Sequence, residues 1–122
     1  MQISRRVFGA GVASGVASLA APVVFGQSQK VKIGVLTDMS GPTSAVLGVG
    51  SVDGARMAIE DFGKTVAGMQ IEMIYADHQN KPDIGSSTAR RWFDEEGVDM
   101  PLDLGNSAVA IACQQLPKTR TR

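Results

Sequence analysis

A single cysteine, Cys113, rules out a disulfide within the chain. A single histidine, His78, leaves any metal site without a second imidazole, and no cysteine lies near it in sequence. Aromatic residues make up only 5% of the chain. Two of them, Trp92 and Phe93, recur at helical spacing with Ala89, which reads as core rather than as a stacking platform. An excess of one charge is lacking too. The 12 Lys and Arg stand against 12 Asp and Glu with no long block of either, so the electrostatic footprint of a nucleic-acid binder is absent. At 122 residues there is room for one small domain at most.

What is present begins with a stretch unlike the rest. Residues 1–26 open with Ser4-Arg5-Arg6-Val7-Phe8, a twin-arginine pattern, followed by a weakly apolar run rich in Gly and Ala that Pro22 breaks near its end. This is the layout of a twin-arginine export signal read by its translocase; cleavage after Ala20 or after Gly26 loosely satisfies a small-x-small rule, and Gly26 is preferred. The leucine usual after the phenylalanine is replaced by Gly9. The run is long enough for a membrane span, but its glycines, alanines and proline make a poor one. No cysteine follows it directly, so no lipid anchor is expected. The product would be a soluble periplasmic chain. Without Arg5 and Arg6 it carries 10 basic against 12 acidic side chains.

The remainder is organised around residues 31–42, VKIGVLTDMSGP. Val31, Ile33, Val35 and Leu36 form an apolar run too short for a helix, which reads as a strand buried on both faces of a parallel sheet. Gly41-Pro42 then breaks the chain. Val52, Ala55, Ile59 and Phe62 recur at helical spacing, with Ala58 on the same face, and Gly63 is placed as a C-terminal cap. Residues 70–76 read as a second strand, residues 77–82 as a polar turn and residues 83–96 as a helix with Thr88, Ala89, Trp92 and Phe93 turned inward. Residues 98–104 read as a third strand. Asn106 and Ser107 are both helix N-cap types, and Val109, Ala112, Cys113 and Leu116 mark a third apolar stripe. The order β-α-β-α-β-α implies an α/β chain with a parallel sheet and right-handed crossovers.

Several features are decoys. Gly48-Val49-Gly50-Ser51-Val52-Asp53-Gly54 imitates a dinucleotide fingerprint, but the fingerprint must start directly after the first strand, and residues 37–47 intervene. No cofactor is implied. Cys113, on the core side of its helix, reads as a buried structural thiol. Asp77 and His78 read as a solvated turn, because no nucleophile accompanies them.

Taken together, VKIGVLTDMSGPTS, GARMAIEDF, IEMIYADHQNKPD, ARRWFDEEGVD and GNSAVAIA follow in the order found in type I periplasmic substrate-binding proteins. The chain resembles the branched-chain amino acid type that serves ABC importers, over residues 31–116. The resemblance implies a two-lobed protein that closes on a small solute by hinge motion and docks on a membrane permease. It also implies that the turn at Ser107, and more loosely Asn106, holds the solute's carboxylate, with Ser40 facing the same crevice. The residues themselves supply a reason: the free N–H groups and positive dipole end of a helix N-terminus favour a carboxylate.

The chain also departs from that family. Its members run for several hundred residues, whereas here Pro117 stops the third helix and a basic tail follows. Residues 27–116 are therefore expected to form an incomplete N-terminal lobe, a partial three-layer β/α unit truncated after about three β-α repeats, with residues 117–122 an aberrant tail. Pro101 and Asp103 interrupt the third strand. With the next strand absent, one sheet edge is left open, a setting for aggregation or swapping. Such a chain alone is expected to bind its solute at millimolar affinity or worse. Two other functions stay open on the residues: a ligand-sensing regulator built on the same lobes, and a small α/β enzyme.

Overall fold

A computed structural model describes residues 29–116. The export signal read over residues 1–26, with Arg5 and Arg6, and the tail 117–122 lie outside the described residues. Strand β1 (Lys30–Thr37) becomes more buried along its length and is fully buried from Gly34 onward. It lies inside the sheet, paired in parallel on both sides. All eight of its residues pair with β3 (Met69–Asp77), from Lys30 opposite Gln70 to Thr37 opposite Asp77. On its other side Ile33, Gly34 and Val35 face β4 (Met100–Leu102).

Three layers result. Helix α1 (Val49–Phe62) lies against one sheet face through buried Val52. Helices α2 (Pro82–Arg91) and α3 (Ser107–Gln114) cover the other. That second face holds the main core: Leu36, Ala89, Trp92, Val98, Val109 and Cys113, with Ile74, Ala76, Phe93, Leu104 and Leu116 packed against it. Cys113 is buried as expected, and burial pushes its thiol up. Helix α2 starts at Pro82, whose missing N–H costs nothing at a first helical position. It runs on through a π-helical segment, Trp92–Glu96, to Gly97 in the left-handed region at φ 68°. Gly63 ends α1 likewise, at φ 104°, its N–H bonded to Ile59 O and Glu60 O.

Four expectations need correction. The sheet is mostly rather than wholly parallel, because a two-residue strand β2 (Thr65–Val66) pairs antiparallel with β3 and gives the order β2-β3-β1-β4. Its hairpin turns at Ala67 (φ 48°) and Gly68 (φ 78°), the paired positive φ values that a tight two-residue connection needs. Second, the apolar stripe of α1 is only partly covered: Ala58 is exposed and Phe62 is 66% exposed. A groove remains between the second half of the helix and β3, lined by Ile59, Ile71, Met73 and Tyr75 together with Arg56, Glu60 and Lys64. Third, the third parallel strand is shorter than residues 98–104. Asp99 N–H donates to Lys32 O at 2.8 Å. By the alternation of a parallel ladder residue 101 is the next to point at β1, and Pro101 has no N–H to give. Asp103 then turns left-handed at φ 57° and ends the strand. Fourth, His78 is not solvated but fully buried.

The open side of β4 is an unpaired edge among the described residues, since β4 pairs only with β1. No helix of the described residues is long and apolar enough to cross a membrane.

Trp92 packs closely on Gly34 in the core. A Cβ at residue 34 would lie 2.3 Å from Trp92 Cζ3, and the indole is 2% exposed with nowhere to retreat. Gly34→Ala is expected to cost about 1–3 kcal/mol of stability through overpacking. A thermal melt followed by circular dichroism reads this, and an unchanged midpoint would show that Trp92 is not seated on Gly34.

Candidate functional site

Because Thr37 and Asp77 are level in the register, β1 and β3 deliver their following loops to the same end of the sheet. His78 N–H donates to Thr37 O at 2.8 Å and carries the ladder one step past the strands. In an open α/β sheet this carboxyl end is where ligands sit. The loops from β1 and β3 and the start of α3 form the candidate site.

The loop after β1 is shaped by two carboxylates. Asp38, fully buried, accepts Gly41 N–H at 2.6 Å with Oδ1, and Thr43 N–H at 2.9 Å and the Thr43 hydroxyl at 2.6 Å with Oδ2. A side chain at residue 41 would collide with that carboxylate, its Cβ 2.5 Å from Asp38 Oδ1. Asp77 accepts Met39 N–H at 2.9 Å and Gln79 N–H at 2.7 Å with Oδ1, and the Ser40 hydroxyl at 2.6 Å with Oδ2. It thus ties the loop of β1 to the end of β3. Burial pushes both carboxyls up. For Asp38 the Thr43 hydroxyl and the two N–H groups outweigh burial, and for Asp77 the Ser40 hydroxyl and its two N–H groups do the same. Each is therefore held below the ordinary value near 3.8.

The turn between β3 and α2 is held in the left-handed region at two successive residues, Gln79 (φ 53°) and Asn80 (φ 58°). Conformations of this kind cost on the order of 1 kcal/mol each and persist when their surroundings fix them. Here Asp77 Oδ1 takes the Gln79 N–H, and His78 Nδ1 takes the Asn80 N–H at 3.0 Å. Asp77 and His78 are therefore not an acid–base couple; each is bonded to the backbone around it.

Asn106 caps α3. Its Oδ1 accepts Ala108 N–H at 2.7 Å and Val109 N–H at 3.2 Å, and its Nδ2 donates to Asn80 Oδ1. Both polar ends of that side chain are committed. Ser107, exposed at the first helical position, has neither its N–H nor its hydroxyl bonded among the described residues. Two uncharged donors thus stand together at the positive end of a helix. Ser40 is exposed as well, but its hydroxyl proton is given to Asp77, so toward a solute it offers lone pairs only. The sequence singled out Ser40, Asn106 and Ser107. It missed Asp38 and Asn80, and it misread Asp77 and His78 as a solvated turn, since nothing in the residue types reveals which loop carboxylates turn inward.

A carboxyl held below its ordinary value stabilises the fold above its unfolded titration range and ceases to do so as pH falls through its folded one. Stability is therefore expected to be flat from pH 7 to about 5 and to fall below about 4, as Asp38 and Asp77 protonate. Asp77→Ala, which strands the donors of Met39, Ser40 and Gln79, is expected to cost about 1–3 kcal/mol at neutral pH and to flatten part of the acid limb. Melts across pH 2.5–7 check both.

Comparison with known proteins places this geometry. The family model described as periplasmic binding protein matches residues 30–120. Among solved structures, a periplasmic binding protein from Burkholderia mallei is 46% identical with a TM-score of 0.69, over 73% of this chain and 24% of that one. A branched-chain amino acid ABC transporter periplasmic ligand-binding protein from Burkholderia xenovorans is 44% identical with a TM-score of 0.65, over 68% of this chain and 22% of that one. A leucine-binding protein from Thermotoga maritima is 30% identical with a TM-score of 0.61, over 68% and 23%. No curated protein matches. The chain spans about a quarter of the length of these structures. With its three parallel strands, its helices on both faces and its match over residues 30–120, the chain belongs to the periplasmic binding protein family.

Proposed function

We propose that the chain supplies one wall of a solute-binding protein of an ABC importer, and that the solute is a small amino acid of the branched-chain class. The observation that carries this is Ser107, an unbonded N–H and hydroxyl at the start of a helix whose next two N–H groups are already capped by Asn106. Such a position suits a carboxylate. Ser40, reduced to an acceptor by its bond to Asp77, suits an ammonium group, and an α-amino acid carries both. The Burkholderia xenovorans and Thermotoga maritima relatives, a branched-chain amino acid ABC transporter periplasmic ligand-binding protein and a leucine-binding protein, support the solute class.

The role is binding rather than catalysis. Asp38, Asp77 and His78 are spent on holding loops in place. The working protein is periplasmic, exported through the twin-arginine translocase by the signal read at Arg5 and Arg6, with its signal removed. In the intact importer it hands solute to a membrane permease. Taken alone, this wall offers a carboxylate hydrogen bonds of about 1.5–3 kcal/mol each in open water. Even a 1 mM dissociation constant requires about 4 kcal/mol. The 122-residue chain by itself is therefore assigned no useful affinity.

Two experiments test this reading. Grafting residues 29–116 in place of the matching segment of the Burkholderia xenovorans protein should give a chimera that binds L-leucine in a calorimetric titration. Ser107→Ala in that chimera should weaken binding about tenfold or more, one charged-group hydrogen bond's worth; undiminished affinity would remove Ser107 from the site. Fused to a periplasm-dependent reporter, residues 1–30 should be exported, and replacing both Arg5 and Arg6 by Lys should stop export. Export that persists would defeat the twin-arginine assignment.

A further inference from the structure

His78 is fully buried, lies beneath the first turns of α2 close to Gly85, and has no part in the proposed contact with solute. Its Nε2 is buried with no hydrogen-bond partner among the described residues. Its Nδ1 accepts the Asn80 N–H, which fixes the tautomer: the proton sits on Nε2 and the lone pair on Nδ1 faces the turn. A residue that served only to fill this volume would be better apolar, since a buried N–H without an acceptor is destabilising. The imidazole is retained for its one bond.

That bond begins a chain of three. His78 Nδ1 holds the backbone of Asn80, which sits at φ 58°. Asn80 Oδ1 accepts from Asn106 Nδ2. Asn106 Oδ1 is thereby aimed at the N–H groups of Ala108 and Val109. An amide side chain can rotate to present either end. Donation of Nδ2 to Asn80 is what points the oxygen of Asn106 at α3, leaving Ser107 as the helix's unoccupied donor. We infer that His78 is a positioning residue for the α3 N-terminus, acting through Asn80 and Asn106 to set which helix N–H groups are capped and which are left to a ligand. The functional meaning rests on the reading of Ser107 given above; the positioning itself does not.

Amide hydrogen exchange in the 122-residue chain, read residue by residue by NMR, tests it without a ligand. In His78→Leu, the Ala108 and Val109 amides should exchange about fivefold or more faster than in the parent, a loss of the size of one hydrogen bond, while Val35 and Leu36 in β1 keep their rates. His78→Asn, whose Oδ1 can stand in for Nδ1, should restore protection. Unchanged rates at Ala108 and Val109, equal acceleration at Val35 and Leu36, or no rescue by Asn would each overturn the inference. Should His78→Leu not fold, Asn80→Gly decides. It keeps the backbone N–H and relieves the left-handed turn but removes the amide link, so the same local acceleration is expected, and its absence refutes the chain. In the chimera, His78→Leu should also weaken L-leucine binding at least threefold. If Ser107→Ala leaves affinity unchanged while the exchange pattern holds, the binding reading fails and the positioning role stands.

Discussion

The parallel pairing of β1 with β3 governs the rest. Eight residues in register put Thr37 beside Asp77, so the two strands stop at the same level and their loops must share one end of the sheet. Loop backbone there loses the ladder's hydrogen bonds while still partly buried, and a buried N–H left unbonded is costly. Two carboxylates meet that need. Asp38 gathers the donors of its own loop, and Asp77 gathers donors from both loops. Each supplies what the ends of the strands cannot.

The opposite faces of the sheet differ in how completely they are covered. Gly34 lets Trp92 lie flat on β1, and Gly85 lets Val109 approach α2, a Cβ there coming within 2.5 Å of Val109 Cγ1. Small residues thus draw the α2–α3 layer tight. The α1 layer has no such device. Only Val52 of that helix is buried, while Phe62, Tyr75 and Met100 are half exposed or more. An apolar surface of this extent beside an open strand edge is the kind that further chain or another molecule covers.

The elements that the residues announced were those with local chemistry behind them. The apolar run of β1, Gly63 at the end of α1, Pro82 at the start of α2 and Asn106 before α3 each satisfy a backbone requirement within a few residues, and each was legible. Pro101 and Asp103 announced the weakness of β4 for the same reason. The α1 stripe showed which face is apolar but not whether a partner surface extends far enough to cover it, so Ala58 and Phe62 were misread. Strand β2 escaped because Ala67 occupies a positive φ usually signalled by Gly or Asn. His78 escaped because its burial depends on α2 folding back over it, a long-range fact absent from the polar run around it.

For the site, the difficulty is that a helix N-terminus has few unsatisfied donors, and cap and ligand compete for them. Asn106 was legible as either. The structure divides the donors by position: the second and third helical N–H groups go to the Asn106 oxygen, and the first stays with Ser107. A serine hydroxyl beside that N–H adds a second donor on the same residue without a fixed charge. A lysine or arginine there would hold a carboxylate more strongly, but would attract it in open water as well. Uncharged donors at a helix end grip only when water is excluded, which requires a second surface to close over them. On the proposed function, the weakness of this wall by itself and the readiness of a carrier to let go would have the same cause.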